Sequence, residues 1–175
     1  MRHSSRAGRS APPAAAELLD LLRDGGATLA TAESLTGGRL AAVVTDVPGA
    51  SAVYLGGVVT YATALKTSLL EVPESLVQTY GVVSPECAGA MARGVRRLTG
   101  AAYGLSTTGV AGPEEQEGRP VGTVFVGVSG PDGESVLALD LVGDRATIQE
   151  RTCLEALAAL TAHLRDLQRE EPGLG

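Results

Sequence analysis

The residues between Thr31 and Lys66 combine hydroxyl groups, glycines and one amine within a short span. Lys66 is the only lysine of the chain, and the other cationic side chains are arginines and two histidines. Buried among apolar groups, a lysine can lose its proton and act as a base, whereas an arginine stays protonated at any pH that a protein meets. We therefore take Lys66 as a candidate general base. The competing interpretation is a lysine left by chance in an arginine-rich sequence.

Two serines are candidate nucleophiles that such a base would serve. Ser34 follows a predicted buried strand, and Ser51 lies in a turn that contains proline and glycine. A serine attacks only when another group accepts its proton. His3 lies near the amino terminus and His163 lies late in the last predicted helix, so neither makes a convincing base for a Ser-His-Asp triad. A serine with a neutral lysine is the remaining option.

Lys66 can work as a base only in surroundings that lower its pKa. A lysine in water has a pKa of about 10.4 and is charged at neutral pH. The valines and alanines around Lys66 are compatible with an apolar site that favours the neutral amine. Tyr61, at the end of a predicted strand, is placed to relay the proton. From these residues alone, the prediction is a small-molecule hydrolase or a protein that binds a phosphate-bearing ligand.

Two turns carry both hydroxyls and glycines where a predicted strand ends. One is Thr36-Gly37-Gly38, which leads into a helix, and the other is Thr107-Thr108-Gly109. Free N–H groups at a helix start can bind phosphate or a developing oxyanion, and glycines let the ligand approach the backbone. These turns are therefore candidate binding elements. The competing interpretation is that Ser34 or Thr36 only caps the helix.

Composition and charge restrict the function classes. The chain has 175 residues, 44% of them hydrophobic, and a mean hydropathy of +0.14, so it can bury the core of one domain. A net charge of -6 and a pI near 4.9 argue against direct nucleic-acid binding. No apolar run approaches the roughly 20 residues that cross a bilayer, and no secretory signal is recognisable, so we expect no membrane association and a cytoplasmic location. Cys87 and Cys153 lack the neighbouring ligands of a zinc site, so we predict buried thiols and no metal.

The order of the predicted elements indicates the fold class α/β, as a single-domain α/β/α sandwich with a mixed β-sheet. The predicted helices cover 14–23, 39–46, 63–70, 73–80, 84–98 and 146–167, and the predicted strands cover 27–32, 53–60, 101–107, 121–129 and 135–142. We expect the domain to span 14–168, between a disordered tail at 1–13 and a flexible tail at 169–175. Ligands of such sheets bind where strands end and helices begin. The hydroxyl- and glycine-bearing turns, Lys66 and Arg145 fit that location.

Several motifs follow one another in the chain: TAES-TGG from Thr31, D-PG-S-A from Asp46, VTY before Lys66, GVVS at 81–84, TTGVAGP from Thr107, PVGTV from Pro120 and GDR from Gly143. In this order they resemble the carboxy-terminal domain family of the competence/damage-inducible protein CinA, from about residue 14 to 167. The resemblance implies nicotinamide-nucleotide amidase activity, also called NMN deamidase. That reaction converts nicotinamide mononucleotide to nicotinate mononucleotide and ammonia in pyridine-nucleotide salvage, without metal or cofactor.

The resemblance also implies roles for individual residues. Ser51 matches the nucleophile, and Lys66 and Tyr61 match its activating partners. The residues that would shape the site and hold the small nucleotide substrate are Ser34, Thr36, Gly37, Gly38, Thr108, Gly109 and Arg145. The implied mechanism is attack by Ser51 on the carboxamide, loss of ammonia and hydrolysis of the acyl-enzyme. An alternative assignment keeps the reaction but makes Ser34 the nucleophile and Ser51 a cap.

Two segments depart from the family pattern. Ala62-Thr63 stands where members commonly carry Ser-Asn, and residues 114–117 are Glu-Glu-Gln-Glu where many members have a Gly-Gly-containing loop. An acidic loop that faces the site would repel a phosphate. These changes favour the alternative function, a catalytically degenerate CinA-like domain that binds a nucleotide or a partner. The amino-terminal domain of longer CinA proteins has no counterpart, which predicts a stand-alone amidase, and the low aromatic content and hairpin edge are compatible with a homodimer.

Overall fold

A computed structural model describes residues 11–170, and most of the two predicted tails, together with His3, lies outside the described residues. The helices are α1 (Pro13–Asp24), α2 (Arg39–Thr45), α3 (Thr63–Leu70), α4 (Glu74–Tyr80), α5 (Pro85–Thr99) and α6 (Arg145–Glu170). The strands are β1 (Leu29–Glu33), β2 (Tyr54–Val59), β3 (Tyr103–Gly109), β4 (Thr123–Gly130) and β5 (Gly133–Asp140), and a 3-10 turn covers Ala50–Ala52. These elements follow the predicted ones closely, although α6 continues beyond its predicted end at 167.

The five strands form one mixed sheet in the order β2-β1-β3-β4-β5. β1 lies between β2 and β3 and is parallel to both. β4 and β5 are antiparallel and form the predicted hairpin, in which Gly130 pairs with Gly133. The parallel half of the sheet therefore comes from the alternating helices and strands, and the antiparallel half comes from the late hairpin.

Helices cover both faces of this sheet. α1, α2 and α6 pack together on one face, and α5 lies on the other face against β1, β3 and β4, with α3 and α4 packed on α5. Because both faces are covered, β1, β3 and β4 are buried along their whole length. This arrangement confirms the predicted α/β/α sandwich. Cys153 is buried in the hydrophobic cluster under α1 and α6, and Cys87 is buried in the cluster under α5.

Small residues allow this core to close almost without aromatic side chains. A Cβ atom on Gly94 of α5 would lie 2.2 Å from the carbonyl oxygen of Leu70, and one on Gly104 of β3 would lie 2.1 Å from that of Ala92. The absence of these Cβ atoms lets the backbone of α5 contact both α3 and β3. Close backbone packing at these two glycines therefore brings α5 against α3 and β3 in a core that has few aromatic side chains.

The carboxyl ends of the three parallel strands meet at one edge of the sheet. The backbone N–H of Ser34 donates to the carbonyl of Thr107 at 3.0 Å, and the N–H of Thr60 donates to the carbonyl of Glu33 at 2.9 Å. The chain leaves β1 toward β2 on one side, whereas β3 pairs on the other side of β1, so the strand order reverses there. Such a reversal opens a crevice in which α/β proteins bind ligands. Among the helices within residues 11–170, none has the length and hydropathy required to span a bilayer.

Candidate active site

The amine of Lys66 lies under this edge and contacts a serine hydroxyl. Lys66 belongs to α3, is 1% exposed, and its Nζ lies 3.0 Å from Ser34 Oγ and 2.6 Å from the carbonyl oxygen of Thr60. α3 starts soon after β2 ends and folds back over the strand ends, which directs the lysine side chain at the residue after β1. The structure therefore pairs the only lysine with Ser34.

Burial changes the proton affinity of this amine. It lowers the pKa of Lys66 below the usual 10.5, and the negative charges of the Cys87 thiolate, where it forms, and of the Glu117 carboxylate oppose that change. Burial also raises the pKa of the Cys87 thiol to about 11, so the thiol beside Lys66 is protonated near neutral pH. The neutral form of Lys66 is consequently more populated than it would be for a lysine in water.

Tyr61 and Arg145 form a second pair at the same edge. Arg145, the first residue of α6, donates from Nη2 to the Tyr61 hydroxyl at 2.9 Å and from Nη1 to the carbonyl of Gly112 at 2.6 Å. Tyr61 is 59% exposed, and its hydroxyl bonds to Arg145 and not to Lys66. Arg145 therefore ties the end of β2 to the loop that follows β3, and the structure offers no direct hydrogen bond for a proton relay from Tyr61 to Lys66.

These side chains surround a cavity of about 260 Å³. It is lined by Ser34, Leu35, Tyr61, Thr63, Lys66, Val82, Gly109, Val110, Ala111, Gly112, Glu114, Glu115, Gln116 and Arg145. Of the residues predicted for the site, the cavity thus gathers Ser34, Tyr61, Lys66, Gly109 and Arg145. Thr108 is buried and does not line the cavity, and its hydroxyl donates to the carbonyl of Val82 at 2.7 Å.

Ser51 lies at the opposite edge of the sheet, which corrects the predicted pairing of Ser51 with Lys66. It is exposed in the 3-10 turn that precedes β2, whereas Lys66 bonds to the residue that follows β2. β2 has six residues, and a strand rises about 3.3 Å per residue, so roughly 17 Å of strand separates the two positions. The hydroxyl near the amine is that of Ser34, the alternative nucleophile.

The turn at 36–38 also differs from its predicted role. The buried carboxylate of Glu33 accepts the N–H groups of Gly38 at 3.2 Å, Leu40 at 2.8 Å and Ala41 at 3.1 Å. These amides at the start of α2 are therefore satisfied by the protein's own anion and do not face a phosphate. Thr36 is buried and shares a hydrogen bond of 2.8 Å with Thr107, and neither it nor Gly37 or Gly38 lines the cavity.

Glu33 and the loop at 114–117 have roles in the structure that the sequence patterns do not reveal. A carboxylate at the end of a buried strand, shortly before glycines and a helix, was the available signal for Glu33. Within the loop, Glu114, Glu115 and Gln116 face the cavity, whereas the Glu117 carboxylate turns to the backbone of Val82 and Val83. Over residues 11–170, no group of three or more His, Cys, Asp and Glu side chains is arranged to hold a metal ion.

Comparison with known proteins places the chain among close relatives. The family model of the CinA C-terminal domain matches residues 12–164. A "CinA-like protein" of Frankia casuarinae is 51% identical over 154 residues, which are 88% of this chain and 36% of that protein. A "putative competence-damage inducible protein" of Halalkalibacterium halodurans is 48% identical over 137 residues, or 78% of this chain and 33% of the relative. The chain thus spans about a third of the length of these curated relatives.

Solved structures give the same result. A CinA superfamily protein from Klebsiella pneumoniae superposes with a TM-score of 0.85 at 31% identity, over 87% of this chain and 96% of that one. A competence/damage-inducible protein from Agrobacterium tumefaciens superposes with a TM-score of 0.80 at 32% identity, over 88% of this chain and 97% of that one. The fold is therefore shared with solved relatives over most of the chain.

Proposed function

The chain belongs to the CinA C-terminal domain family, and we propose on that premise that it is an amidohydrolase that converts nicotinamide mononucleotide to nicotinate mononucleotide and ammonia. The observation that carries the proposal is the contact of 3.0 Å between Lys66 Nζ and Ser34 Oγ in a buried setting. Nucleophilic catalysis by serine requires a base within hydrogen-bond reach, and Lys66 supports that role. The nucleophile proposed here is Ser34.

The chemistry begins with proton transfer from Ser34 to Lys66. In the structure Lys66 Nζ donates to both Ser34 Oγ and the Thr60 carbonyl. The neutral amine can keep one N–H on the Thr60 carbonyl while its lone pair accepts the proton of the Ser34 hydroxyl. As the proton moves to Nζ, Ser34 Oγ forms a bond to the carboxamide carbon and the carbonyl oxygen becomes negative. The ammonium of Lys66 then returns the proton to the departing nitrogen, so that ammonia leaves and a serine ester remains.

Hydrolysis of that ester uses the same base. Lys66, again neutral, takes a proton from water, the hydroxide adds to the ester carbon, and Ser34 leaves as an alcohol with the proton from Lys66. Leu35 and residues 109–112 line the cavity. Their backbone N–H groups are the candidate donors for the developing oxyanion, except that of Val110, which donates to the carbonyl of Thr123 at 2.9 Å. Arg145 and Tyr61, which line the same cavity and are hydrogen-bonded to each other, are proposed to bind the remainder of the nucleotide.

A second candidate function rests on the acidic side chains of the cavity wall. Glu114 and Glu115 line the cavity in which a substrate phosphate would lie, and like charges weaken binding. This observation favours a domain of the same fold that binds a ligand without turning it over. Both candidates require occupation of the same cavity, so they differ only in the chemical step.

The deciding experiment measures ammonia and nicotinate mononucleotide formed from nicotinamide mononucleotide by the purified protein and by Ser34→Ala, Lys66→Arg and Ser51→Ala. We expect Ser34→Ala and Lys66→Arg to lose roughly a hundredfold or more in kcat. Ser51→Ala is the matched control, and it should keep the activity of the unmodified chain. Loss with Ser51→Ala and retention with Ser34→Ala would overturn the assignment. An inert but ligand-binding protein would support the second candidate.

A further inference from the structure

We propose that Glu117 is a positioning residue that anchors the cavity-lining loop at 112–120 to the turn at 81–83. Its carboxylate oxygen Oε2 accepts the backbone N–H of Val82 at 2.8 Å and that of Val83 at 3.2 Å. Val82 lines the cavity from one side, and residues 114–116, immediately before Glu117, line it from another. A single carboxylate therefore joins two walls of the site that are far apart in sequence.

The local backbone is shaped for this contact. Gly81 has a φ of 78°, and a Cβ atom there would lie 2.4 Å from Glu117 Oε2, so a side chain at 81 would displace the carboxylate. Glu117 and Gly118 have φ values of 51° and 70°, and Gln116 and Arg119 exchange two backbone hydrogen bonds of 3.2 and 2.8 Å. This is a two-residue hairpin turn in which a left-handed glutamate is uncommon. The contact to Val82 and Val83 gives that conformation a structural purpose.

The turn at 81–83, to which Glu117 binds, is itself held in place by hydrogen bonds to β3 and α5. The carbonyl of Val82 accepts the hydroxyl of Thr108 at 2.7 Å, so Val82 is held through both its N–H and its carbonyl. Ser84 donates to the carbonyl of Gly81 at 2.9 Å and accepts the N–H of Cys87 at 3.1 Å, which caps α5. Because the turn is fixed to β3 and α5, removal of Glu117 should release the loop and leave the turn in place.

The charge of Glu117 has a second consequence at Lys66. Burial lowers the pKa of Lys66, and the Glu117 carboxylate acts in the opposite direction, as does Cys87 of α5 once its thiol is ionised. The other ionisable groups around the same cavity are Tyr61, Arg145 and the two glutamates at 114 and 115. Loss of the Glu117 charge should therefore lower the pKa of Lys66 further. A residue that only tethered the loop would have no such effect.

The test compares Glu117→Gln, Glu117→Ala and a charge-matched control, Glu86→Gln, at an exposed position in the first turn of α5. Lys66 is the only lysine, so protein labelled with ¹³C-lysine gives a single side-chain signal to titrate by NMR. Both Glu117 variants should lower the midpoint of this titration, and Glu86→Gln should leave it unchanged. Hydrogen exchange at the amides of Val82 and Val83 should speed up about tenfold or more in Glu117→Ala. Glu117→Gln, which keeps one acceptor, should show a smaller change.

The kinetic part rests on the proposed amidase function. Glu117→Ala should raise the KM for nicotinamide mononucleotide more than it lowers kcat, because the loop loses its position while Ser34 and Lys66 stay together. Should the unmodified protein prove inert, the proposed function fails, whereas the NMR titration and the amide exchange still decide the role of Glu117. An unchanged Lys66 midpoint together with unchanged exchange at Val82 and Val83 in Glu117→Gln, which keeps the side-chain shape, would overturn the inference.

Discussion

Lys66 Nζ lies 3.0 Å from Ser34 Oγ although the two residues are 32 positions apart in the chain. Ser34 is held by the end of β1, and Lys66 is held by the return of α3 over the end of β2. The contact thus depends on the parallel pairing of β1 with β2, in which Glu33 lies beside Val59. A site built on strand ends and a helix is rigid, which favours a fixed distance between base and nucleophile.

The first prediction concerns pH. If neutral Lys66 is the base, kcat/KM should rise with pH along one acid limb whose midpoint is the pKa of Lys66. Burial lowers that pKa, so the midpoint should lie below 10.5. The rate profile and an NMR titration of the single lysine should give the same midpoint. A rate profile whose midpoint differs clearly from the NMR value would show that another group limits the reaction.

The sequence was sufficient to single out Lys66 as the candidate base, because the composition shows that it is the only lysine. It was also sufficient for the fold, since the hydrophobic patterns and the glycine and proline turns marked nearly every element. The sequence did not show in the same way which serine, Ser34 or Ser51, lies next to Lys66. Both serines lie within short motifs, and only the direction of β2 in the sheet decides which of them lies at the end occupied by Lys66.

The role of Glu33 was hidden for a different reason. Thr36-Gly37-Gly38 before a helix has the form of an anion-binding turn, but a turn pattern does not reveal which anion fills it. In the structure the carboxylate of Glu33 does so, with three backbone N–H groups. A sequence pattern that marks a helix start also marks backbone N–H groups that need an acceptor. Which group accepts them depends on tertiary packing, and the pattern does not show it.

The second prediction tests that carboxylate. Glu33→Gln should lower the free energy of unfolding by about 1–3 kcal/mol, because an amide offers one neutral acceptor and brings its own donors toward the N–H groups of α2. The measurement is urea unfolding followed by circular dichroism. Glu74→Gln, an exposed glutamate in the first turn of α4, is the control and should change little. Equal losses in the two variants would mean that the buried hydrogen bonds of Glu33 add nothing specific.

The third prediction concerns Arg145. Arg145→Lys should raise KM by about tenfold with a smaller effect on kcat, because a lysine cannot reach both the Tyr61 hydroxyl and the Gly112 carbonyl. Steady-state kinetics with nicotinamide mononucleotide give both constants. Arg151→Lys, the same substitution at an exposed position of α6, is the control and should leave both constants unchanged.

Tyr61→Phe separates binding from proton transfer in the same assay. It removes the hydroxyl but leaves the contact of Arg145 with Gly112, so it should cause only part of the Arg145→Lys effect on KM. The hydroxyl of Tyr61 bonds to Arg145 and not to Lys66, and for that reason kcat should fall little. A fall in kcat by orders of magnitude in Tyr61→Phe would instead assign proton relay to Tyr61.

The fourth prediction addresses the acidic wall of the cavity. Replacing Glu114 and Glu115 together by glutamine should lower the KM for nicotinamide mononucleotide roughly two- to fivefold, because two negative charges near the substrate phosphate are removed. Both side chains are exposed, so the gain should shrink as ionic strength rises. Nicotinamide riboside is the matched substrate, since it keeps the cationic pyridinium and lacks the phosphate. For the riboside, the same double substitution should leave KM unchanged or raise it, and equal improvement for both substrates would show that the two glutamates do not act through the phosphate.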